Sequence, residues 1–172
     1  YPRTPEADRR ALESHGADLV LAPDVTTMYP NGLPATCRVE VPGLSGILCG
    51  ASRPGHFTGV ATVVTKLLNM VRPDVAVFGE KDYQQLVIIR RLVRELHFPT
   101  RIEGVPTHRE PSGLALSSRN EYMTADEKER AAELYRTLCE VVERLRTSAD
   151  ATTLEKRGLE RLRRAGFEPE YL

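Results

Sequence analysis

Between Pro73 and Val105 the sequence reads strand, helix, strand, and this run constrains the fold more than any other. Asp74 to Phe78 is a short apolar run of strand character, read as buried. A helix opens near Asp82 and places Leu86, Ile89, Leu92, Val93 and Leu96 on one face, stopping before Pro99. Arg101 to Val105 is the second strand. Two strands joined by a helix within about 30 residues form a βαβ unit, whose sheet is parallel and whose crossover is right-handed in ~98% of cases. Such sheets hold ligands beyond the carboxyl ends of their strands, where the next helix N-terminus points. At that position the first strand runs abruptly into Gly79, Glu80, Lys81, Asp82, Tyr83, Gln84 and Gln85. Gly79 lets a ligand approach the backbone, and Lys81 carries a mobile positive charge suited to a phosphate. Asp82 and Gln85 equally read as an N-cap and its N3 partner, so a phosphate site and a plain helix start both stand open on spacing alone.

The flanks extend this pattern. Upstream, a helix ends at Gly16, Asp18 to Ala22 reads as a short buried strand, and a proline- and glycine-rich loop follows to Pro34. "ATCRVEVPGL" alternates like a half-buried strand and is ended by Pro42 and Gly43. After the loop "CGASRPGHFTG", Val60, Val63, Val64, Leu67, Leu68 and Val71 fall at helical spacing, and Pro73 makes Arg72 a poor helical residue. Downstream, "PTHREPS" interrupts the regular elements and marks a domain boundary near Pro106 to Ser112. "GLALS" reads as a short strand and "SSRN" as a polar turn. Thr124 with Glu127 makes a capping box for one long helix burying Ala131, Leu134, Tyr135, Leu138, Val141, Val142 and Leu145. Thr152 with Glu155 opens a last helix that Gly166 ends.

Charge and cysteine usage narrow the function classes. Lysine plus arginine and aspartate plus glutamate number 24 each, which removes any bulk electrostatic attraction to nucleic acid or an anionic membrane. The arginines of the two helices, Arg90, Arg91 and Arg94, then Arg157, Arg161, Arg163 and Arg164, have no interleaved aromatics for base stacking and read as solvated faces. Cys37, Cys49 and Cys139 show no CxxC spacing and no finger-like histidines, so neither a disulfide framework nor a metal site is expected, and a cytoplasmic setting fits. No apolar run reaches the ~18 residues of a membrane span.

Two further constellations carry chemistry. "LSSRN", Leu116 to Asn120, sets Ser117 and Ser118 beside Arg119, whose planar fork suits phosphate; as a local pattern it is also an ordinary polar turn. "GASRPGHF" sets Arg53, suited to a carboxylate or phosphate, near His56, which titrates near neutrality; the alternatives are a plain Arg-Pro-Gly turn and a histidine bonded to a loop carbonyl.

In order along the chain, "YPRT", "YPNG", "VPGLSGILCGASRPGHFTGVATVVTKLLN", "PDVAVFGEKDYQQL" and "GLALSSRNEYMT" closely resemble the pantothenate synthetases, the pantoate–β-alanine ligase family. The resemblance is collinear to about Thr124 and weaker beyond. It implies an α/β fold: a partial Rossmann-like parallel sheet of the nucleotidyltransferase, HUP type over residues 1–107, followed by a smaller α+β lid domain from 108–172. It implies an enzyme of coenzyme A precursor biosynthesis that condenses pantoate with β-alanine through a pantoyl adenylate, releasing AMP and pyrophosphate. ATP with Mg2+, pantoate and β-alanine would be its small-molecule partners, in a homodimer. Carried over residue by residue, Gly79, Glu80, Lys81 and Asp82 resemble the ATP segment, with Lys81 on the phosphates. Leu116, Ser117, Ser118 and Arg119 resemble the counterpart of the synthetase KMSKS loop, with Ser117 and Arg119 on the leaving pyrophosphate. His108 matches a position whose backbone meets the adenine. Gln85 matches the pantoate-hydroxyl ligand, and Arg53 and His56, in the signature loop, join it on pantoate. No HIGH-like segment is found, so the chain is expected to be a fragment lacking that segment and the end of the lid domain, and inactive alone. Two rivals follow: a non-catalytic nucleotide-binding or dimerisation module, and adenylyl transfer to another small carboxylic acid.

Overall fold

The computed structural model describes residues 4–147 and 150–172; Tyr1 to Arg3 of the "YPRT" stretch lie outside the described residues. The backbone gathers into two compact units. One takes in the chain through Phe78 together with Asp82–Gly104, and the other is Gly79–Lys81 with Val105–Leu172. The fold is mixed α/β and mostly helical, with a small two-stranded parallel sheet among the described residues.

The first unit is organised by the predicted βαβ run. Strand segments β1 (Val75–Gly79) and β2 (Arg101–Val105) pair, and the sheet is reached through a helix of 13 residues, Tyr83–Glu95. Counting helices along the chain, α1 is Pro5–Ser14, α2 Val25–Met28, α3 Cys49–Ser52, α4 His56–Val71 and α5 Tyr83–Glu95. Helix α4 buries Phe57, Ala61, Val64 and Leu68, and α5 buries Leu86, Ile88, Ile89, Leu92 and Val93. Nine buried residues, Val41 among them, form one cluster against which Ala76, Phe78 and Ile102 of the strands pack. At about 1.5–3 kcal/mol for each fully buried large aliphatic or aromatic side chain, this cluster is the main source of the unit's cohesion.

Several expectations are corrected here. Residues 18 to 22 form no strand: Leu19 is 83% exposed and no described segment pairs with them. The "ATCRVEV" stretch is also not a strand. The Val39 N–H donates to the Thr62 hydroxyl of α4 at 2.9 Å, and Val41 is buried, so a helix side chain replaces the ladder. Strand β1 is not buried on both faces. Ala76 and Phe78 face the core, whereas Val77 is 62% exposed, because alternate side chains of a strand point to opposite faces and only one is covered. Val71 and Leu96 lie exposed at the ends of their helices. Arg72 leaves the helix at φ 50°, ψ 53°, where Pro73 disfavours the right-handed conformation. Asp82 stands at the N-cap of α5, yet its side chain makes no capping hydrogen bond, and Glu80–Asp82 instead forms a 3-10 turn.

In the second unit, "GLALS" contributes a single antiparallel bridge, Arg109 with Ala115, in place of a strand, and Ser118–Tyr122 coils into a 3-10 turn. The Thr124 capping box forms as expected: the Glu127 N–H donates to the Thr124 hydroxyl, and the Thr124 N–H donates to the Glu127 carboxylate. The bonds that Thr124 donates hold the Glu127 carboxyl below its ordinary pKa. The long helix is two: α6 (Ala125–Ala131) and α7 (Glu133–Arg146), separated at Ala132. The Ala132 N–H is shared between the Lys128 and Glu129 carbonyls, and Tyr135 bonds back to Ala132 three residues away. No glycine or proline marks this break. Helix α8 (Ala151–Arg164) is capped by Asp150, which accepts from Thr153 N–H at 2.9 Å, so the Thr152–Glu155 box is displaced by two residues. Gly166, at φ 85°, ends it with paired bonds from Gly166 to Arg163 and Phe167 to Leu162, a Schellman arrangement.

The buried face of α7 also differs from expectation. Leu134, Leu138, Val142 and Leu145 are exposed, while Thr137 is buried toward α8 beside Gly158. Val141 and Thr137 of α7 pack around Gly158, and Arg161 of α8 binds both Glu133 and Glu140 of α7.

Candidate functional site

Lys81 and the "LSSR" segment, 35 residues apart, meet in the second unit. The Lys81 Nζ donates to the Leu116 carbonyl at 3.3 Å. The Leu116 N–H in turn donates to the His108 carbonyl at 2.9 Å, across the register that pairs Arg109 with Ala115. Three sequence-distant candidates, Lys81, His108 and Leu116, are therefore brought together by one short antiparallel bridge. Lys81, His108 and Arg119 are exposed, and Ser117 and Ser118 are half-buried. The Ser117 hydroxyl accepts from Arg119 N–H at 3.2 Å, which caps the 3-10 turn that carries Arg119. Beneath this turn Asn120 is buried and donates from Nδ2 to the Ala115 carbonyl at 3.0 Å. The bridge is backed on its other side by Arg109, whose guanidinium lies over the Tyr135 ring at 3.7 Å and donates to the Gly113 carbonyl. Gly79 leads into the Glu80–Asp82 turn with open space where a Cβ would stand. This group can present an ammonium, a guanidinium, hydroxyls and free backbone to an anionic ligand.

Arg53 and His56 gather separately, in the first unit. Gly55 at φ 79° turns the chain into α4, and this brings Arg53 Nη1 to 3.3 Å from His56 Nε2. Burial and the Arg53 charge lower the His56 pKa, with Asp82 opposing them, so the ring is neutral at pH 7 and Nε2 accepts. His56 also tilts against the Phe57 ring at 4.9 Å. With Tyr29, Gly59, Val60 and Val63 they line an open hollow of about 650 Å³. Gln85 is half-buried at the start of α5, and its amide carries no hydrogen bond among the described residues.

Two residues of the quoted clusters that bear on the site received no role of their own from the sequence. Gln84, next to Gln85, donates from Nε2 to the Leu44 and Ile47 carbonyls at 2.9 and 2.8 Å and accepts from Cys49 N–H at 3.2 Å. Asn120 is the other. Their partners carry no side-chain signal, and those of Gln84 lie 35 to 40 residues away, so no spacing rule finds them. Among the described residues, no three of histidine, cysteine, aspartate and glutamate gather into a metal-binding group. No helix among them is long and apolar enough to cross a membrane.

A parallel strand that runs through a glycine into a turn and a helix is the arrangement on which open α/β sheets hold ligands. The family described as Pantoate-beta-alanine ligase matches residues 1–172. The pantothenate synthetase of Chromohalobacter salexigens is 58% identical over 172 residues, covering 100% of this chain and 61% of that protein. That of Methylococcus capsulatus is 55% identical over 174 residues, covering 60% of its length. The crystal structure of pantothenate synthetase from Thermus thermophilus superposes with a TM-score of 0.87 at 48% identity, over 95% of this chain and 59% of that one. The Francisella tularensis pantoate-beta-alanine ligase, complexed with beta-gamma ATP and beta-alanine, gives 0.76 at 37% identity, over 94% of this chain and 59% of that one. The chain belongs to the pantoate-beta-alanine ligase family.

The chain spans about three fifths of the length of these relatives. The expectation of a fragment lacking a HIGH-like segment and the end of the lid domain is corrected by the same match. The family match runs over residues 1–172, past Thr124 and through the last helices.

Proposed function

We propose that this chain contributes to the condensation of pantoate with β-alanine, driven by ATP. A pantoate carboxylate oxygen bonds to the α-phosphorus and pyrophosphate leaves. The β-alanine nitrogen then bonds to the acyl carbon, AMP leaves, and the amine loses a proton. Between its two steps this chemistry creates and releases phosphate charge, so cationic positioning is the main task of the protein. Magnesium enters with ATP as part of the substrate.

The observation that supports this reading best is the bond from Lys81 to the Leu116 carbonyl, which holds an ammonium over the Ser117–Arg119 turn without a carboxylate partner among the described residues. A neutral carbonyl yields such a cation to a phosphate readily, because a charge-assisted bond is roughly twice as strong. Lys81, Ser117 and Arg119 are assigned to the phosphates. Gly79, Glu80, Asp82, Leu116 and Ser118 shape the nucleotide site, with His108 meeting the adenine through its backbone. Gln85 is assigned to the pantoate hydroxyl, and Arg53 and His56 to its carboxylate end. Residues 1–107 are read as the Rossmann-like nucleotidyltransferase, HUP-type domain, with 108–172 opening the lid. The ATP analogue and β-alanine bound by the Francisella protein favour the same substrates.

Replacing Lys81 by alanine removes the phosphate's partner and should slow pantoate-dependent pyrophosphate release about 10²- to 10³-fold. Unchanged release, measured with the folded variant, would remove Lys81 from its role.

A further inference from the structure

We propose that Gln84 is a positioning residue, whose carboxamide fixes the loop from Leu44 to Arg53 against the start of α5 and thereby sets Arg53 on His56. This rests on the reading of that loop as part of the substrate site. The loop is not held by regular structure. It contains a 3-10 turn at Leu44–Gly46, a helix of one turn at Cys49–Ser52, and between them Leu48 at φ 49°, ψ −122°. A non-glycine residue in that region stores strain and persists only where its surroundings over-determine it.

The Gln84 side chain supplies that determination. Both Nε2 protons are used, on two carbonyls that flank Leu48 on its amino-terminal side, and Oε1 takes the Cys49 N–H on the other. The amide orientation is fixed by its partners, because a flipped group would face two carbonyls with an oxygen. No other side chain meets these three demands at this reach. Glutamate cannot donate, lysine cannot accept, and asparagine is one methylene short. A second constraint acts within the loop: a Cβ on Gly50 would collide with the Ser45 carbonyl oxygen, so the turn and α3 are in close contact. Gln84 bridges this compact loop to α5, and Arg53 is the residue that leaves it. The bond from Arg53 to His56 at 3.3 Å is thus set from a distant part of the sequence; the adjacent Gln85 is left free to face a ligand.

The test follows His56 by NMR titration of its imidazole in wild type and in Gln84→Met, which keeps length and apolar bulk but removes every hydrogen bond. In wild type the His56 titration lies below its ordinary value of 6.5, because burial and Arg53 disfavour the charged ring. In Gln84→Met the loop is released, so the His56 titration should move up toward the ordinary value. Hydrogen exchange at the Gly50 and Ala51 amides should accelerate by about tenfold or more, since opening of the loop becomes easier. An unmoved His56 together with unchanged exchange in the folded variant overturns the proposal. If Gln84→Met does not fold, Gln84→Asn is read in the same way, since its shorter amide cannot span the three partners. Both measurements are made without substrate. A failed pantothenate assay therefore counts against the assigned activity and leaves the role of Gln84 to be judged by His56 alone.

Discussion

The two units solve the same packing problem with different materials. In the first, α4 and α5 enclose a continuous apolar cluster, with Ala61, Ile88 and Ile89 showing no exposed surface. In the second, α7 and α8 meet over Gly158, Thr137 and a bridge from Arg161 to Glu133 and Glu140, with Leu154 and Leu162 as the buried aliphatics of α8. The contrast teaches what each unit tolerates. An apolar cluster loses both transfer energy and packing when atoms are removed. A partly solvated ion bridge loses little, because water takes over both charges.

The largest expected effect tests the apolar side. Ile89→Ala should destabilise the first unit by about 3–4 kcal/mol, read from the urea midpoint by circular dichroism. A cost below about 1 kcal/mol would mean that the cluster is not what holds this unit. Next come the glycines. At Gly50 the obstacle to a Cβ is the Ser45 backbone carbonyl, whereas at Gly158 the nearest atom is the mobile end of the Leu172 side chain. Gly50→Ala should therefore cost about 2 kcal/mol, the scale of overpacking. Gly158→Ala should be nearly neutral, since relief of helical glycine contributes about 1 kcal/mol in its favour. Equal costs in thermal melts would erase the distinction. The smallest effect is expected from Arg161→Met, at most about 1 kcal/mol, because the Arg161 side chain keeps 41% of its surface. A cost several times larger would place the ion bridge on a level with the apolar cluster.

How far the sequence could be read follows the same division. The Gly16 and Gly166 helix ends and the Thr124 capping box were legible because each depends on residues within a few positions of one another, and the βαβ run because its strand, helix and strand follow directly along the chain. The lost strands at residues 18–22 and 35–41 were not, since a strand exists only if a second segment pairs with it. The apolar stripe Leu134, Leu138, Val142 and Leu145 has ideal helical spacing, yet it is the neighbouring face, with Thr137, that α8 covers. Periodicity finds an amphipathic helix but does not choose which face meets a partner when small and polar residues also pack well.

Local chemistry determined by the sequence alone was the identity of the phosphate-seeking groups: an ammonium at Lys81, hydroxyls at Ser117 and Ser118, and a guanidinium at Arg119. The tertiary structure decided their company. It placed Lys81 on the Leu116 carbonyl and paired Leu116 with His108. It also spent the Gln84 amide on the loop that carries Arg53, and left Gln85 without a hydrogen bond among the described residues. The reason is physical: charge and hydrogen-bonding capacity are properties of a side chain, whereas occupancy of that capacity depends on backbone carbonyls brought near by the fold, and carbonyls are identical at every residue in a sequence.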